Sequence, residues 1–189
     1  MKKMKTVARV ADSAPRATAP VSALLVVAAC VMAGLNPLAA PALAQGAKVD
    51  FTSPEAKKLI DRGRYLVKIA GCNDCHTAGW MPSAGKVPEK DWLTGDSFGW
   101  RGPWGTTYPL NLRLYMQSMT EAEWMKRAMT MQTRPPMPWW VFKEMHKDDV
   151  RALYRYIRFL GPAGQPAPAY VPPDKEPNPP FATFPAPPK

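Results

Sequence analysis

The stretch Ala70-Gly71-Cys72-Asn73-Asp74-Cys75-His76-Thr77 decides how the rest of this sequence is interpreted. It holds two of the three cysteines of the chain and one of its two histidines. Two cysteines three positions apart, followed directly by a histidine, can bind a metal, form a disulfide, exchange electrons as thiols or attach a larger group. The features around the stretch discriminate among these four uses.

The first 44 residues have the features of an export signal. Five basic residues precede an apolar run from Val21 to Leu35. After that run, Ala42-Leu43-Ala44 precedes Gln45 as a small-residue cleavage site. The apolar run is short for a bilayer span, so a retained membrane anchor is the weaker interpretation. Lipid attachment at Cys30 is a minor alternative, because apolar residues continue past that cysteine. Export with cleavage after Ala44 predicts a periplasmic protein.

Cleavage would leave Cys72 and Cys75 as the only cysteines. In an oxidising compartment, free thiols without a function do not stay reduced. The removed segment holds five of the 25 basic residues and one of the 15 acidic residues, so the net charge falls from +10 to +6. A modest positive excess favours docking to an acidic protein or a membrane surface. Nucleic acid is not an expected partner, because no predicted helix carries a basic cluster.

Three helices are predicted from apolar periodicity and from residues typical of helix ends. They begin after Ser53, after Thr120 and near Lys147, and they end at the cysteine motif, before the prolines at 135 and 136, and at Gly161. The first starts with an N-cap serine and a proline, and the second starts with a capping box. No strand pattern is present, so the sequence predicts an all-α domain over residues 45–161.

A zinc site is a poor match, because His76 and His146 are seventy residues apart and the cysteines are not separate from His76. A thioredoxin-like dithiol expects a βαβ context, and a disulfide leaves His76 unexplained. In Cys-x-x-Cys-His, the sulfurs add to the two vinyl groups of a porphyrin and the histidine becomes the proximal iron ligand. The motif therefore predicts one haem c held by Cys72, Cys75 and His76, with Asn73 and Asp74 as spacers.

The segment between the first two predicted helices, roughly Ala78 to Ser118, is long for a structureless loop unless it surrounds a large ligand. It carries five large aromatic residues, and these supply apolar rings and indole donors for a haem and its propionates. They are Trp80, Trp92, Trp100, Trp104 and Tyr108. Ordinary packing remains the expected role of most of them.

The iron needs a ligand opposite His76, and Met137 stands out among eight methionines of the mature chain. Prolines on both sides of Met137 restrict its backbone to a loop outside any helix. Five other methionines, at 116, 119, 125, 129 and 131, lie on or near the second predicted helix, where methionine usually fills a core. His146 would give bis-histidine ligation, but its position suits a helix cap. Met137 is the predicted sixth ligand, with His146 or an open site as the alternatives.

Residues 162–189 contain 11 prolines among 28 residues, which predicts an extended, polyproline-like tail. Such a tail is mobile or lies on the domain surface. The alternative is a strap onto a partner subunit, in which the aromatic residues Tyr170, Phe181 and Phe184 act as anchors.

Several stretches together resemble the class I cytochrome c family, from the first helix through Gly161. More narrowly, they resemble the haem domains of cytochrome subunits of periplasmic alcohol and aldehyde dehydrogenases. The stretches are Arg64-Tyr65-Leu66-Val67, the cysteine motif, Gly105-Thr106-Thr107-Tyr108 with Asn111, Met137-Pro138-Trp139 and residues 149–157.

The resemblance implies a cytochrome c fold in which the first and third helices cross. Gly63 would allow the close approach, and Tyr154 or Ile157 would fill the notch. It also implies that a proline carbonyl, that of Pro103 in preference to Pro88, accepts the Nδ1 proton of His76. Further residues implied at the cofactor are Trp104, Tyr108 and Asn111.

The expected function is that of a periplasmic single-haem electron carrier, not itself an enzyme. It would pass electrons between a dehydrogenase or respiratory partner, such as an oxidase, and a downstream acceptor. One alternative is a haem enzyme or a gas or peroxide sensor in which Met137 is displaced. Another is a structural haem subunit of a dehydrogenase complex, with the tail as tether. The sequence does not specify the oligomeric state.

Overall fold

The computed structural model describes residues 49–185. The expected cleavage site at Ala44, Cys30 and the last four residues lie outside this range. The elements in chain order are α1 (Pro54–Ile69), α2 (Cys72–His76), a 3-10 turn (Glu89–Asp91), β1 (Gly99–Gly102), β2 (Gly105–Thr107), α3 (Leu112–Gln117), α4 (Glu121–Thr130), α5 (Val141–Glu144), α6 (Lys147–Leu160) and β3 (Phe181–Thr183). Within residues 49–185, no helix is both long enough and apolar enough to cross a membrane.

The three helices expected from the sequence are α1, α4 and α6. The hydroxyl of Ser53 accepts a hydrogen bond from the backbone N–H of Ala56 at 3.2 Å, as an N-cap does. Thr120 and Glu123 form both hydrogen bonds of the capping box at the start of α4. That helix ends at Thr130, well before the prolines that were expected to stop it.

Helices α1 and α6 pack against each other at Gly63. A Cβ atom placed on Gly63 would lie 2.1 Å from the carbonyl oxygen of Ala152 and 2.6 Å from the Cβ of Tyr156. Only glycine allows so close an approach of two backbones, so the role expected for Gly63 is confirmed. The residues that meet it are Ala152 and Tyr156, one turn apart on α6, and not Tyr154 or Ile157.

Tyr154 instead donates a hydrogen bond from its hydroxyl to the carbonyl of Met119 at 3.0 Å. Helix α4 joins the same core through Trp124, whose indole N–H donates to the carbonyl of Val150 at 2.9 Å. The core therefore lies between α1, α4 and α6.

Segment 78–118, expected as a structureless loop, contains the 3-10 turn, a β hairpin and α3. Strand β1 pairs with β2 in antiparallel and with β3 in parallel register, giving the order β2-β1-β3. The all-α expectation omitted this sheet. Its strands are three or four residues long, which is too short for an alternating pattern to be recognised in the sequence.

The proline-rich tail packs on its own domain. It supplies β3, and Val171 exchanges two backbone hydrogen bonds with Thr106 of β2, at 2.7 and 3.1 Å. Pro177, near the middle of the tail, is buried. The boundary predicted after Gly161 therefore marks the end of α6 and not the end of the folded domain.

Candidate functional site

Helix α2 carries the three residues of the predicted attachment motif. It follows Gly71, whose φ of 71° lets the chain turn sharply out of α1. Cys72 and Cys75 are half-buried, and their sulfurs are not joined to each other in a disulfide. Both thiols and the imidazole of His76 thus lie on one short helix, which the sequence did not predict.

Both thiols are protonated at neutral pH. Burial raises the pKa of the Cys72 thiol to about 11. Burial also raises the pKa of Cys75, and the nearby carboxylates of Asp74 and Asp96 add to the rise. Thiol–disulfide exchange relies on a cysteine with a lowered pKa. The environment of this pair therefore opposes the dithiol interpretation.

His76 is oriented by the backbone of a distant segment. Its Nδ1 lies 2.7 Å from the carbonyl oxygen of Leu110. Because a carbonyl only accepts, Nδ1 carries the proton and Nε2 keeps the lone pair that binds metal. Burial lowers the pKa of His76, although the hydrogen bond to Leu110 opposes this, so the neutral ligating form is favoured.

The acceptor is therefore Leu110, and not Pro103 as the resemblance implied. Pro103 lies exposed at the turn between β1 and β2. The carbonyl of Pro88, the other proline considered, accepts from the backbone N–H of Asp91 at 2.9 Å. Pro109 directly precedes Leu110, and the sequence interpretation did not consider it.

Asn73 has a structural role that the sequence interpretation missed. It is fully buried, and its Oδ1 accepts a hydrogen bond from the hydroxyl of Thr77 at 2.8 Å. The same hydroxyl accepts from the backbone N–H of Leu93 at 2.8 Å. The carbonyl of Leu93 in turn accepts from the N–H of Leu112 at 3.0 Å. This chain of bonds ties the motif to the segment that presents Leu110 to His76, whereas Asp74 is exposed, as a spacer would be.

Trp104 provides a test of whether the site fits a haem. Its indole is half-buried, and Nε1 is buried with no hydrogen-bond partner among residues 49–185. A buried indole N–H ordinarily donates to an acceptor, and a haem propionate is an acceptor of the required kind. The orphaned donor therefore fits the predicted group.

Tyr108 and Asn111 lie on the same segment as Trp104. Tyr108 is half-buried, and its ring packs beside Gly99 of β1. Asn111 is buried, and its Oδ1 accepts from the N–H of Leu114 to cap α3. Its Nδ2 donates to two tail carbonyls, those of Ala163 and Gln165. Asn111 thus holds the tail, and both of its donor hydrogens have protein acceptors.

Met137 is half-buried and packs against the hydrophobic core from a loop. The loop is braced two residues earlier, where the hydroxyl of Thr107 donates to the carbonyl of Pro135 at 2.7 Å. Thr107 and Leu110 are three residues apart, so an extended chain between them spans at most about 10 Å. One short segment therefore contacts both His76 and the Met137 loop.

The other candidates for a sixth ligand are placed differently. Met116 is fully buried in α3, and methionines 119, 125, 129 and 131 pack against the core, as expected of filler. His146 is exposed at the N-cap position of α6, and its side chain makes no capping hydrogen bond. Met137 packs against the core as these methionines do, and what distinguishes it is the bond that joins its loop to Thr107 of the hairpin.

Within residues 49–185, no group of three or more His, Cys, Asp or Glu side chains is arranged to hold a metal ion. Comparison of the chain with protein-family models, with curated proteins and with solved structures found no match.

Proposed function

We propose that this protein is a single-haem c-type cytochrome with a cytochrome c fold. It would carry electrons between a dehydrogenase or respiratory partner and a downstream acceptor in the periplasm. The observation that carries the proposal is the hydrogen bond from His76 to Leu110. It leaves Nε2 available to a metal directly beside two cysteines that are not joined in a disulfide.

Haem c bound at this site would supply reversible one-electron chemistry between ferrous and ferric iron. Cys72 and Cys75 would hold the porphyrin through thioether bonds, and His76 would bind the iron through Nε2. Leu110 keeps the imidazole in one tautomer and orientation. The indole N–H of Trp104, which has no acceptor among residues 49–185, would donate to a propionate.

Two features favour electron transfer over reaction at the iron. Met137 lies in a loop that is fixed by Thr107, and a braced loop resists displacement of its side chain. His76 and Met137 together would hold the haem iron, and the chemistry supplied would then be reversible electron transfer, which suits a carrier. Helix crossing at Gly63 and capping of α1 and α4 make a rigid frame around the motif.

Visible absorption spectroscopy of the ferric protein tests the axial ligands. Methionine sulfur bound to ferric haem iron gives a weak long-wavelength absorption band. We expect that band in the wild type and in His146→Ala, and its loss in Met137→Ala. Ready binding of carbon monoxide by the reduced wild type at neutral pH would contradict the proposal and favour a sensor or haem enzyme.

Covalent attachment is tested separately with Cys72→Ala and Cys75→Ala. Acidified organic solvent should extract no haem from the wild type, because thioether bonds survive this treatment. The double variant should release all of its haem. Extraction of haem from the wild type would show that the motif does not attach it.

A further inference from the structure

The start of the tail is held by two buried side chains of segment 78–118, those of Asn111 and Arg113. The guanidinium of Arg113 donates to the carbonyls of Leu160 and Gly161, and the latter distance is 2.6 Å. Asn111 donates to the carbonyls of Ala163 and Gln165 at 2.8 and 3.1 Å. These bonds direct the chain from the end of α6 across the domain.

The middle of the tail lies on the β hairpin. The hydroxyl of Tyr170 donates to the carbonyl of Trp104 at 2.8 Å, next to the two backbone bonds between Val171 and Thr106. A Cβ on Gly105 would lie 2.5 Å from the carbonyl oxygen of Val171 and 2.7 Å from the Tyr170 hydroxyl oxygen. Gly105 also has a φ of 92°. The hairpin thus has a glycine where the tail crosses it.

The ring of Tyr170 contacts the loop that carries Met137. The guanidinium carbon of Arg134 lies 3.8 Å from the ring centroid, within the range of a cation–π interaction. Arg134 is followed by Pro135, whose carbonyl is bound by Thr107 of the hairpin. The Met137 loop is therefore held by two anchors, one on β2 and one on the tail.

The end of the tail secures this arrangement. Strand β3 pairs with β1, and the N–H of Phe184 donates to the carbonyl of Arg101 at 2.7 Å. The ring of Phe184 lies 5.6 Å from that of Trp104 and 5.8 Å from that of Trp100. The apolar residues considered as anchors for a partner subunit are thus engaged within the chain.

We propose that Tyr170 is a positioning residue for Met137, and that the tail is an internal strap that holds the Met137 loop against the domain. The inference rests on the proposed function, in which Met137 is an iron ligand. Without Tyr170, the loop keeps its anchor at Thr107 and loses its anchor at Arg134. Met137 then leaves the iron more readily, while the attachment of haem through α2 is unaffected.

The test uses the full-length haem protein with Tyr170→Leu, Tyr170→Phe and Arg134→Gln. Tyr65→Leu is the matched control, because Tyr65 is also exposed, at 51% against 36% for Tyr170, and has Arg62 over its ring at 5.5 Å. Two quantities are measured: the affinity of ferric protein for imidazole, which competes with methionine sulfur, and the hydrogen-exchange rate of the Trp139 amide. That amide donates to the carbonyl of Met137 at 2.9 Å and reports on the loop independently of the iron.

We expect Tyr170→Leu to bind imidazole roughly tenfold more tightly than wild type, because a cation–π contact and a hydrogen bond are both lost. Tyr170→Phe, which keeps the ring over Arg134, should show a smaller increase of about threefold. Arg134→Gln should change in the same direction as Tyr170→Leu. Exchange of the Trp139 amide should accelerate in Tyr170→Leu and not in Tyr65→Leu.

The outcomes separate this inference from the proposed function. If the Trp139 amide exchanges no faster in Tyr170→Leu than in Tyr65→Leu, the positioning role of Tyr170 is overturned. If exchange accelerates but the wild type lacks the methionine band, the strap is supported and Met137 is not the iron ligand. If the band is present and imidazole affinity is the same in Tyr170→Leu and Tyr65→Leu, Tyr170 does not control the ligand.

Discussion

The two sides of the candidate site are built differently. On the His76 side, the proposed ligand lies on a short helix, and its supports are buried groups such as Asn73 of the same helix and Leu93 of segment 78–118. On the Met137 side, the proposed ligand lies on a loop whose supports are the hydroxyl of Thr107 and the half-exposed ring of Tyr170. Buried hydrogen bonds are costly to break because the groups left behind are desolvated. Changes on the His76 side should therefore unfold the protein, and changes on the Met137 side should release one ligand.

The largest effect is expected at Gly95, which bonds the carbonyl of His76 through its N–H at 2.8 Å. In Gly95→Ala, the new Cβ would lie 2.8 Å from the nitrogen of Asn111 and 2.9 Å from the oxygen of Pro109, at a φ of 83°. Overpacking and the left-handed backbone together should lower the free energy of unfolding by about 2–5 kcal/mol. Urea unfolding measures this change.

Gly79→Ala is the control for Gly95→Ala, because Gly79 has a φ of 75° and no atom within 4 Å of its Cβ position. Gly79→Ala should lower the free energy of unfolding only by the cost of a left-handed backbone at alanine, about 1–2 kcal/mol. An equal loss of unfolding free energy in the two variants would show that Pro109 and Asn111 do not crowd the Cβ position of Gly95.

The second-largest effect on stability is expected at Asn73. Asn73→Ala removes the acceptor of the buried Thr77 hydroxyl, which should lower the free energy of unfolding by about 1–3 kcal/mol. Its exposed neighbour provides the comparison, because Asp74→Ala should change stability by less than about 0.5 kcal/mol. If urea unfolding gives the same free energy of unfolding for Asn73→Ala and Asp74→Ala, Asn73 is a spacer and has no structural role.

The third effect lies on the Met137 side. Thr107→Val keeps the shape of the side chain but removes its bond to the carbonyl of Pro135. The loss of one hydrogen bond worth about 0.5–1.5 kcal/mol should raise the affinity of the ferric protein for imidazole about two- to tenfold. The urea midpoint should move less than in Asn73→Ala. A large loss of global stability in Thr107→Val would remove the distinction between the two sides.

The smallest effect is expected at an ion pair remote from both sides. Arg62 donates to Asp149 at 2.7 Å, joining α1 to α6, and this lowers the pKa of Asp149 below its ordinary value of 3.8. The lowered pKa gives a stabilisation that is present above pH 3.8 and is lost as the pH falls through the lower value. Because Arg62 is half-exposed, the stabilisation is small.

Arg62→Gln should therefore be slightly less stable than wild type at neutral pH and no less stable in strong acid. Urea unfolding at the two pH values measures the difference. A penalty that persists unchanged in acid would show that Arg62 acts through packing and not through the charge of Asp149.

Local sequence patterns were sufficient to predict the helices α1, α4 and α6 and to identify the cysteine motif. The N-cap at Ser53, the capping box at Thr120 and the glycine after α6 act within a few residues, so their signals are visible in the sequence. The same holds for Cys72, Cys75 and His76, which lie within one helix. The packing of α1 against α6 at Gly63 was expected only from the resemblance to the class I cytochrome c family.

Long-range contacts decided the remaining features. The acceptor of His76 is a backbone carbonyl, and every residue has one, so no residue type distinguishes Leu110 from Pro103 before the chain is folded. Strand β3 pairs with β1 about eighty residues earlier, and the proline content of the tail gave no sign of that partner. By itself, the sequence determined which residues are proposed to attach and ligate a haem, because that chemistry belongs to their side chains. Only the tertiary structure decided which backbone groups hold those side chains in place, because such contacts depend on where distant segments meet.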